Sequence, residues 1–173
     1  IKQNDLRCSS IASQRKNSIQ SGWFWRLIKR GNELSDQGDV LLAQEQYNKA
    51  LILAESLGDL KLRSIAHQSR ARLLGRMQDD DNRQEALQEW TKAELLEYQR
   101  ESPDAEKISR ILVTKGYILL SMGNRNLSLR VAEAALTYTP DSPYAQDLIS
   151  RITSRPNREI NLVVGGKGKV KKL

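Results

Sequence analysis

The chain has 173 residues, of which 39% are hydrophobic and 5% aromatic, with a single cysteine and a formal net charge of +7. This length suits one domain of ordinary size that buries a core. No apolar run approaches the roughly 18 residues of a membrane-spanning helix, and the lone Cys8 excludes an internal disulfide and favours a reducing compartment. We therefore expect a cytoplasmic protein without a transmembrane segment. Because the chain begins at Ile1, an upstream targeting segment stays open as an alternative.

The positive charge is concentrated at both ends of the chain. Residues 1–30 contain seven Lys/Arg and one Asp, and residues 151–173 contain seven Lys/Arg and one Glu. The segment 31–150 has nineteen acidic and fourteen basic residues and is therefore acidic overall. Residues 1–22 are polar and basic with few apolar positions, so we expect a flexible or weakly helical lead.

An aromatic cluster, Trp23 to Trp25, is expected to open the first repeat helix. On a helix, Trp23 and Leu27 share one face and Phe24 and Ile28 the next. The cluster is therefore predicted to seal the exposed end of a helical stack. Trp25 projects furthest from these faces and is a candidate for binding a partner.

The segment Gly31–Leu53 predicts two short amphipathic helices joined by a tight turn at Gly38-Asp39. Small residues at helical spacing allow the two backbones to approach closely, and Leu34 and Tyr47 fill the space beside them. The residues that carry this pattern are Gly31, Leu34, Gly38, Ala43, Tyr47, Ala50 and Leu51.

The same pattern occurs twice more along the chain. A copy at Gly116–Pro140 repeats it with Gly116, Leu119, Gly123-Asn124, Ala132, Ala135, Leu136 and Pro140. A weaker middle copy has Ala71, Leu74, Ala86, Trp90 and Ala93, with its turn extended to residues 78–82. Equivalent alanines of the second helices, Ala50, Ala93 and Ala135, are 43 and 42 residues apart.

These residues resemble the tetratricopeptide repeat, which has a small residue and Leu on its first helix, Gly at the turn, and Ala, an aromatic and Ala-Leu on its second. The period here exceeds the roughly 34 residues of the standard repeat, and armadillo and HEAT repeats, with about 40 to 47 residues, are the alternative. The predicted fold is all-α: an α-solenoid of three antiparallel helical hairpins over residues 23–154. The resemblance implies a right-handed superhelical stack.

The segment from Tyr144 to about Ser154 predicts a final helix with one apolar face, which would cap the last hairpin. Residues 155–173 form a predicted basic Gly/Lys tail whose lysines could touch anionic partners. The lysines of this tail are Lys167, Lys169, Lys171 and Lys172.

No motif of the chain indicates catalysis, a metal or a cofactor. The only histidine, His67, has no cysteine, serine or carboxylate at a spacing typical of a triad or metal site, and is expected to be surface-exposed or partly packed. The acidic run Asp79 to Asp81 lacks the alternating ligands of a calcium loop and is expected to be a solvated, helix-capping turn. We therefore predict a protein that is not an enzyme and needs no cofactor.

The resemblance implies that the first helices of the repeats line a concave groove that holds a peptide or partner helix. By helical spacing, the groove residues are Trp25, Lys29, Asn32, Asp36, Gln68, Arg72, Arg76, Arg110, Thr114 and Tyr117. Basic side chains outnumber the single Asp36 in this set, so the groove is expected to favour acidic segments. Family members that grip a C-terminal carboxylate use a Lys/Asn/Arg clamp, but Ile28 and Ser69 occupy two of the clamp positions.

The leading hypothesis is a non-catalytic protein-protein interaction scaffold or assembly adaptor that binds an acidic peptide or helix in the basic groove. One alternative is a nucleic-acid-associated protein that uses its basic ends for phosphate contacts. Another is a sensor or oligomerisation fragment of a larger protein. The oligomeric state does not follow from the sequence.

Overall fold

The computed structural model describes residues 2–77 and 79–154, with side chains described from residue 18 onward. This part of the chain folds into helices and contains no strand. The helices are α1 (Lys2–Gln37), α2 (Val40–Ser56), α3 (Leu60–Arg76), α4 (Asp80–Tyr98), α5 (Ala105–Ser121), α6 (Arg125–Tyr138) and α7 (Pro143–Ser154).

The helices pack as three successive hairpins followed by a single helix. Helix α1 pairs with α2, α3 with α4 and α5 with α6, and each hairpin also contacts the next through α2 with α3 and α4 with α5. Helix α7 packs against both α5 and α6. The predicted order of three hairpins and a capping helix is therefore confirmed.

Glycines end three of the helices in a left-handed conformation, as the turn dipeptides indicate. Gly38, Gly58 and Gly123 have φ values of 86°, 66° and 80°. In each case the glycine N–H and the following N–H bond back to carbonyls of the last turn, as in Gly38 N to Ser35 O and Asp39 N to Leu34 O. This is the Schellman arrangement, and it disfavours any residue with a Cβ at the glycine.

Short polar side chains cap the helices that follow the turns. Asp59, Asp79, Asp104 and Asn124 accept hydrogen bonds from the backbone N–H three residues ahead, at 2.8 to 3.3 Å. Asp79 therefore acts as a capping residue, as the acidic turn suggests. The turn itself is shorter than expected, because α4 already begins at Asp80.

Two glycines inside helices allow close packing, but of different neighbours. A Cβ at Gly31 would lie 2.4 Å from the Tyr47 ring of the paired helix α2. A Cβ at Gly116 would lie 2.5 Å from Leu148 Cδ2 of the capping helix α7. In the third hairpin Ser128 Oγ also donates to the Gly116 carbonyl at 2.7 Å. Helix α6 has Ala132 at the position equivalent to Tyr47, and Leu148 of α7 takes the place that the Tyr47 ring fills in the first hairpin.

The apolar core consists of three clusters along the stack. The first lies among α1, α2 and α3, and the last among α5, α6 and α7. Between them, Trp90 of α4 packs with Ala71 of α3 and with Ala93 and Ile111. The clusters follow one another, which is the organisation expected when each hairpin contacts only its neighbours.

The environment of His67 differs from the prediction. His67 is 7% exposed, and its Nδ1 lies 2.7 Å from Oε2 of the fully buried Glu89 on α4. Lys92 Nζ also lies 2.7 Å from Glu89 Oε1, and Arg70 Nη1 lies 3.5 Å from Oε2. The prediction of a surface-exposed or partly packed histidine was wrong, since His67 is buried. Its carboxylate partner lies on the other helix of the hairpin, 22 residues away, where sequence spacing does not reveal it.

The structure describes the N-terminal helix of the chain but not the C-terminal tail. Helix α1 continues without a break through residue 22, the predicted end of a flexible or weakly helical lead. Phe24 and Ile28 are buried in the first cluster, whereas Trp23 and Trp25 are about half exposed. The basic tail lies outside the described residues.

Candidate functional site

Helices α1, α3 and α5 carry the predicted groove residues in rows with three- or four-residue spacing. Side chains at this spacing share one side of a helix, so each helix presents one row. We call the surface that these rows form the groove. Two adjoining cavities in the groove contain most of the predicted residues.

The first cavity lies between α1 and α3 and has a volume of about 270 Å³. Asn32 Oδ1 accepts a hydrogen bond from the Tyr47 hydroxyl at 2.8 Å. Arg76 Nη1 donates to Ser35 Oγ at 2.7 Å and to Asp36 Oδ1 at 3.0 Å. The charge of Arg76 is therefore partly balanced by Asp36, although an ion pair this exposed contributes only about 0–1 kcal/mol.

The second cavity lies between α3 and α5 above Trp90 and has a volume of about 220 Å³. The guanidinium carbon of Arg72 lies 5.9 Å from the centroid of the Trp90 ring, in a cation–π contact. Arg110 and Lys107 of α5 line the same cavity. Lys107 is paired with Glu97 at 3.2 Å, but within the described part of the chain neither Arg72 nor Arg110 forms an ion pair.

The electrostatics of Arg72 reflect this lack of a counter-charge. Partial burial lowers the pKa of its guanidinium, and the positive charges of Arg110 and Arg76 lower it further. Arginine remains protonated in spite of such a shift. Burial is the largest cause of the shift, and the charges of Arg110 and Arg76 show that Arg72 also lies in the field of two other cations.

Gln68 and Thr114 line the second cavity as well, on either side of Arg72 and Arg110. Gln68 is only 7% exposed, and its Nε2 donates to Ser64 Oγ at 3.1 Å. It therefore forms part of the cavity wall and is tied to its own helix. Arg72 lines both cavities and therefore lies where the two adjoin.

Three predicted residues lie outside the two cavities. Trp25 packs edge-to-face on Phe24, with ring centroids 5.3 Å apart, and Lys29 is exposed one turn further along α1. The Tyr117 hydroxyl donates to Asp147 Oδ2 at 2.6 Å, which joins α5 to α7. Burial and then this carboxylate raise the pKa of Tyr117 to about 12. Tyr117 thus has a structural partner at the end of the groove.

The second cavity also contains three residues that were not predicted to line the groove, namely Trp90, Lys107 and Ile111. The sequence pattern indicates Trp90 only as a packing residue of the middle hairpin. Lys107 could have been found by extending the row of Arg110 and Thr114 by one turn toward the start of α5. Nothing in the sequence shows that the Trp90 ring lies under Arg72, because the contact joins two helices.

Two positions that the sequence pattern equates with clamp positions, Ile28 and Ser69, are part of the interior. Ile28 is 6% exposed and Ser69 is 2% exposed. Ile28 has no hydrogen-bond donor, and the Ser69 hydroxyl borders the first cavity but is almost entirely buried. The groove therefore presents arginines in place of that clamp.

The described residues were also searched for a metal site and for a membrane-spanning helix. No group of three or more His, Cys, Asp or Glu residues in ranges 2–77 and 79–154 is placed to hold a metal ion. A search of the same ranges for a helix long and apolar enough to cross a membrane finds none.

The comparisons with known proteins give a fold but no close relative. No family model matches the chain, and no curated protein sequence matches it. Among solved structures, the second tetratricopeptide (TPR) domain of human RPAP3, determined in complex with an HSP70 peptide, matches with a TM-score of 0.59 and 21% identity. The match covers 80% of this chain and 99% of that domain. The chain therefore has a TPR-like fold, an all-α solenoid of helical hairpins.

Proposed function

We propose that the chain is a non-catalytic protein-interaction scaffold or assembly adaptor that holds an acidic peptide or helix in the groove. The observation that carries this proposal is the pair Arg72 and Arg110, which line one cavity without a carboxylate partner among the described residues. An acidic side chain placed between them would gain charge-assisted hydrogen bonds and would remove the repulsion between the two guanidinium groups.

The geometry of the second cavity suits a carboxylate. The Arg72 guanidinium lies over the Trp90 ring, and a guanidinium stacked on an aromatic ring can still donate hydrogen bonds from its edges. Arginine donors lie in a planar fork that matches the two oxygens of a carboxylate. Because Asp36 is paired with Arg76 in the neighbouring cavity, the acidic group of the groove does not compete for Arg72.

The RPAP3 domain supports the partner class by analogy. The HSP70 peptide in that complex, SGPTIEEVD, contains two glutamates and one aspartate. The present chain has Ile28 and Ser69 buried where clamp residues would lie, so we propose that it recognises acidic side chains in preference to a terminal carboxylate.

Selection from a displayed library of random peptides tests this proposal without knowledge of the natural partner. We expect the wild-type chain to enrich peptides that are rich in Asp and Glu, whether or not their C-terminus is free. The variant Arg72→Glu/Arg110→Glu should lose these peptides, because it replaces both unpaired cations by carboxylates.

Arg130→Glu is the matched control, because Arg130 is exposed on α6 and lines neither cavity of the groove. It should select the same peptides as the wild type. Circular dichroism should show equal helicity for all variants. Enrichment of neutral or basic peptides, or an unchanged selection by the double variant, would refute the acidic-peptide groove.

A further inference from the structure

Another cavity, separate from the two in the groove, lies on the opposite side of α3. It has a volume of about 450 Å³, is walled by α2, α3 and α4, and we call it the α2–α4 cavity. Arg63, His67 and Arg70 line it from α3. By the 3.6-residue period, these residues lie about half a turn around α3 from the groove row that contains Arg72. A ligand in this cavity would therefore not occupy the peptide groove.

The cavity contains arginine donors that lack acceptors. The Nε atoms of Arg63 and Arg70 are both buried without a hydrogen-bond partner among the described residues. Leaving such a donor unpaired in the interior is unfavourable, and more so for a charged group. An acceptor supplied by a ligand would recover that free energy.

The cations that line this cavity differ in whether an acidic side chain balances their charge. Arg70 and Lys92 both contact Glu89, at 3.5 and 2.7 Å, so their charges are partly balanced. Arg63 forms no ion pair in the part of the chain that the structure describes, and the exposed Glu55 on the cavity edge forms none with it. Arg63 is therefore the cation that is available to an anionic group.

Apart from Gln99, the remaining lining residues of the cavity are apolar. Leu51 of α2 and Leu95 and Leu96 of α4 line it, and Leu95 is 55% exposed. A volume of this size is within the usual range for small-molecule pockets, about 300 to 1,000 Å³. The cavity thus combines an arginine donor with an apolar wall large enough for a ring or a short aliphatic chain.

We infer that the α2–α4 cavity binds a small amphiphilic anion, in which a carboxylate or a phosphate monoester is joined to an apolar group. The anionic group lies against the guanidinium group of Arg63, next to Arg70, and the apolar group lies against Leu51 and Leu95. Both anions share this chemistry because the arginine fork fits carboxylate and phosphate oxygens alike.

The single histidine of the chain makes the test direct. His67 lines the cavity, so in the untagged protein the Cε1–H resonance of the only histidine reports on this site. At constant pH, we expect phenyl phosphate and benzoate to shift this resonance saturably, and benzyl alcohol, which lacks the charge, to leave it unchanged. The tighter of the two anions identifies whether the natural ligand is a phosphate ester or a carboxylate.

Two variants and two controls locate the binding. Arg63→Gln should weaken binding about tenfold or more, since it removes a charge-assisted donor. Leu95→Glu places a carboxylate at the apolar wall and should abolish binding. Lys61→Gln, an exposed cation on α3 that does not line the cavity, and Arg72→Glu, in the groove, should leave the shifts unchanged.

Several outcomes would overturn the inference. These are the absence of a saturable shift with either anion, equal binding of benzyl alcohol, and unchanged binding by Arg63→Gln. Binding of inorganic phosphate as tight as that of phenyl phosphate would show that the apolar wall contributes nothing. Loss of the shift in Arg72→Glu would place the anion in the groove.

Discussion

Gly31 and Gly116 occupy equivalent positions in the first and third hairpins, and both lack a side chain for a steric reason. Gly31 accommodates the Tyr47 ring and Gly116 accommodates Leu148. Both have ordinary helical backbone angles, so their need for glycine comes from packing and not from conformation. This contrasts with Gly38, where a positive φ sets the requirement.

We predict that Gly31→Ala destabilises the protein by about 1–3 kcal/mol, the usual cost of overpacking a core. The new Cβ would meet three atoms of the Tyr47 ring at 2.4 to 3.0 Å, and that ring is buried. Urea unfolding followed by circular dichroism measures the change. Gly22→Ala is the matched control in the same helix, because nothing lies within 4 Å of its added Cβ.

The control substitution should not lower the stability of the protein. Alanine is favoured over glycine inside a helix by up to about 1 kcal/mol, so Gly22→Ala should leave the stability unchanged or raise it. Equal effects of the two substitutions would contradict the packing explanation for Gly31.

Because of Glu89, we expect the stability of the protein to depend on pH in the acidic range. Burial alone would raise the pKa of Glu89, but the hydrogen bonds from His67 and Lys92 and the charge of Arg70 outweigh it and lower the pKa to about 2. The folded state thus holds the ionised form more strongly than the unfolded chain, in which the ordinary pKa is about 4.5. The stabilisation is complete above that ordinary value and is lost as the pH falls toward 2.

We predict that Glu89→Gln lowers the free energy of unfolding at neutral pH by about 1–3 kcal/mol, the usual value of hydrogen bonds to a charged group. It should also flatten the pH dependence between about 5 and 2, since the titrating group is removed. Urea unfolding at a series of pH values measures both effects. Glu133→Gln, at an exposed glutamate of α6, should reproduce the wild-type profile; a wild-type slope in Glu89→Gln would refute this assignment.

At the level of elements, α7 contributes core residues to the third hairpin in addition to capping the stack. Leu148 is fully buried against the backbone of α5 at Gly116, and Arg125 of α6 donates to the Ile152 carbonyl in the last turn of α7. The Tyr117 hydroxyl and the cation–π contact of Arg151 with the Tyr117 ring fix the same helix from the groove side.

We therefore predict that Leu148→Ala costs about 2–5 kcal/mol, the range for buried leucines. The measurement is urea unfolding, with Ile149→Ala as the comparison, because Ile149 lies beside Leu148 on α7 but is only partly buried. A smaller loss in Leu148→Ala than in Ile149→Ala would contradict the role given to Leu148.

The helices and turns were predictable because the signals that specify them are local. Gly38, Gly58 and Gly123 mark the helix ends, and the spacing of small residues marks the close approach at Gly31. The start of α4 was placed too late because three aspartates suggest a loop, yet aspartates are also favourable in the first turn of a helix. The His67–Glu89 pair was missed because contacts between helices leave no fixed spacing in the sequence.

At the scale of the whole molecule, the groove exists only because the hairpins are stacked. The first cavity takes residues from α1, α2 and α3, and the second from α3, α4 and α5. Helical spacing placed Asn32, Arg72 and Arg110 on one surface. It could not show that Asp36 is paired with Arg76, or that Trp25 and Lys29 lie outside both cavities, because these depend on how neighbouring hairpins are oriented.

The separation of the core into clusters predicts that the ends of the stack unfold independently of each other. In Leu148→Ala, amide hydrogen exchange should accelerate in α5, α6 and α7 and stay at the wild-type rate in α1 and α2, because the first cluster has no residue in common with the last. Hydrogen exchange detected by mass spectrometry measures this. Uniform acceleration along the chain would show that the molecule opens as one cooperative unit.

The buried polar contacts between α3 and α4 restrict where evolution can insert or remove a repeat. Ser64 Oγ donates to the Ala93 carbonyl, and His67 pairs with Glu89, so both contacts lie within the middle hairpin. A duplication or deletion bounded by the α2–α3 and α4–α5 loops keeps them together. A break between α3 and α4 would instead leave Glu89 buried without its histidine, at a cost of several kcal/mol. The array can therefore change its length by whole hairpins that begin at α3, and not by single helices.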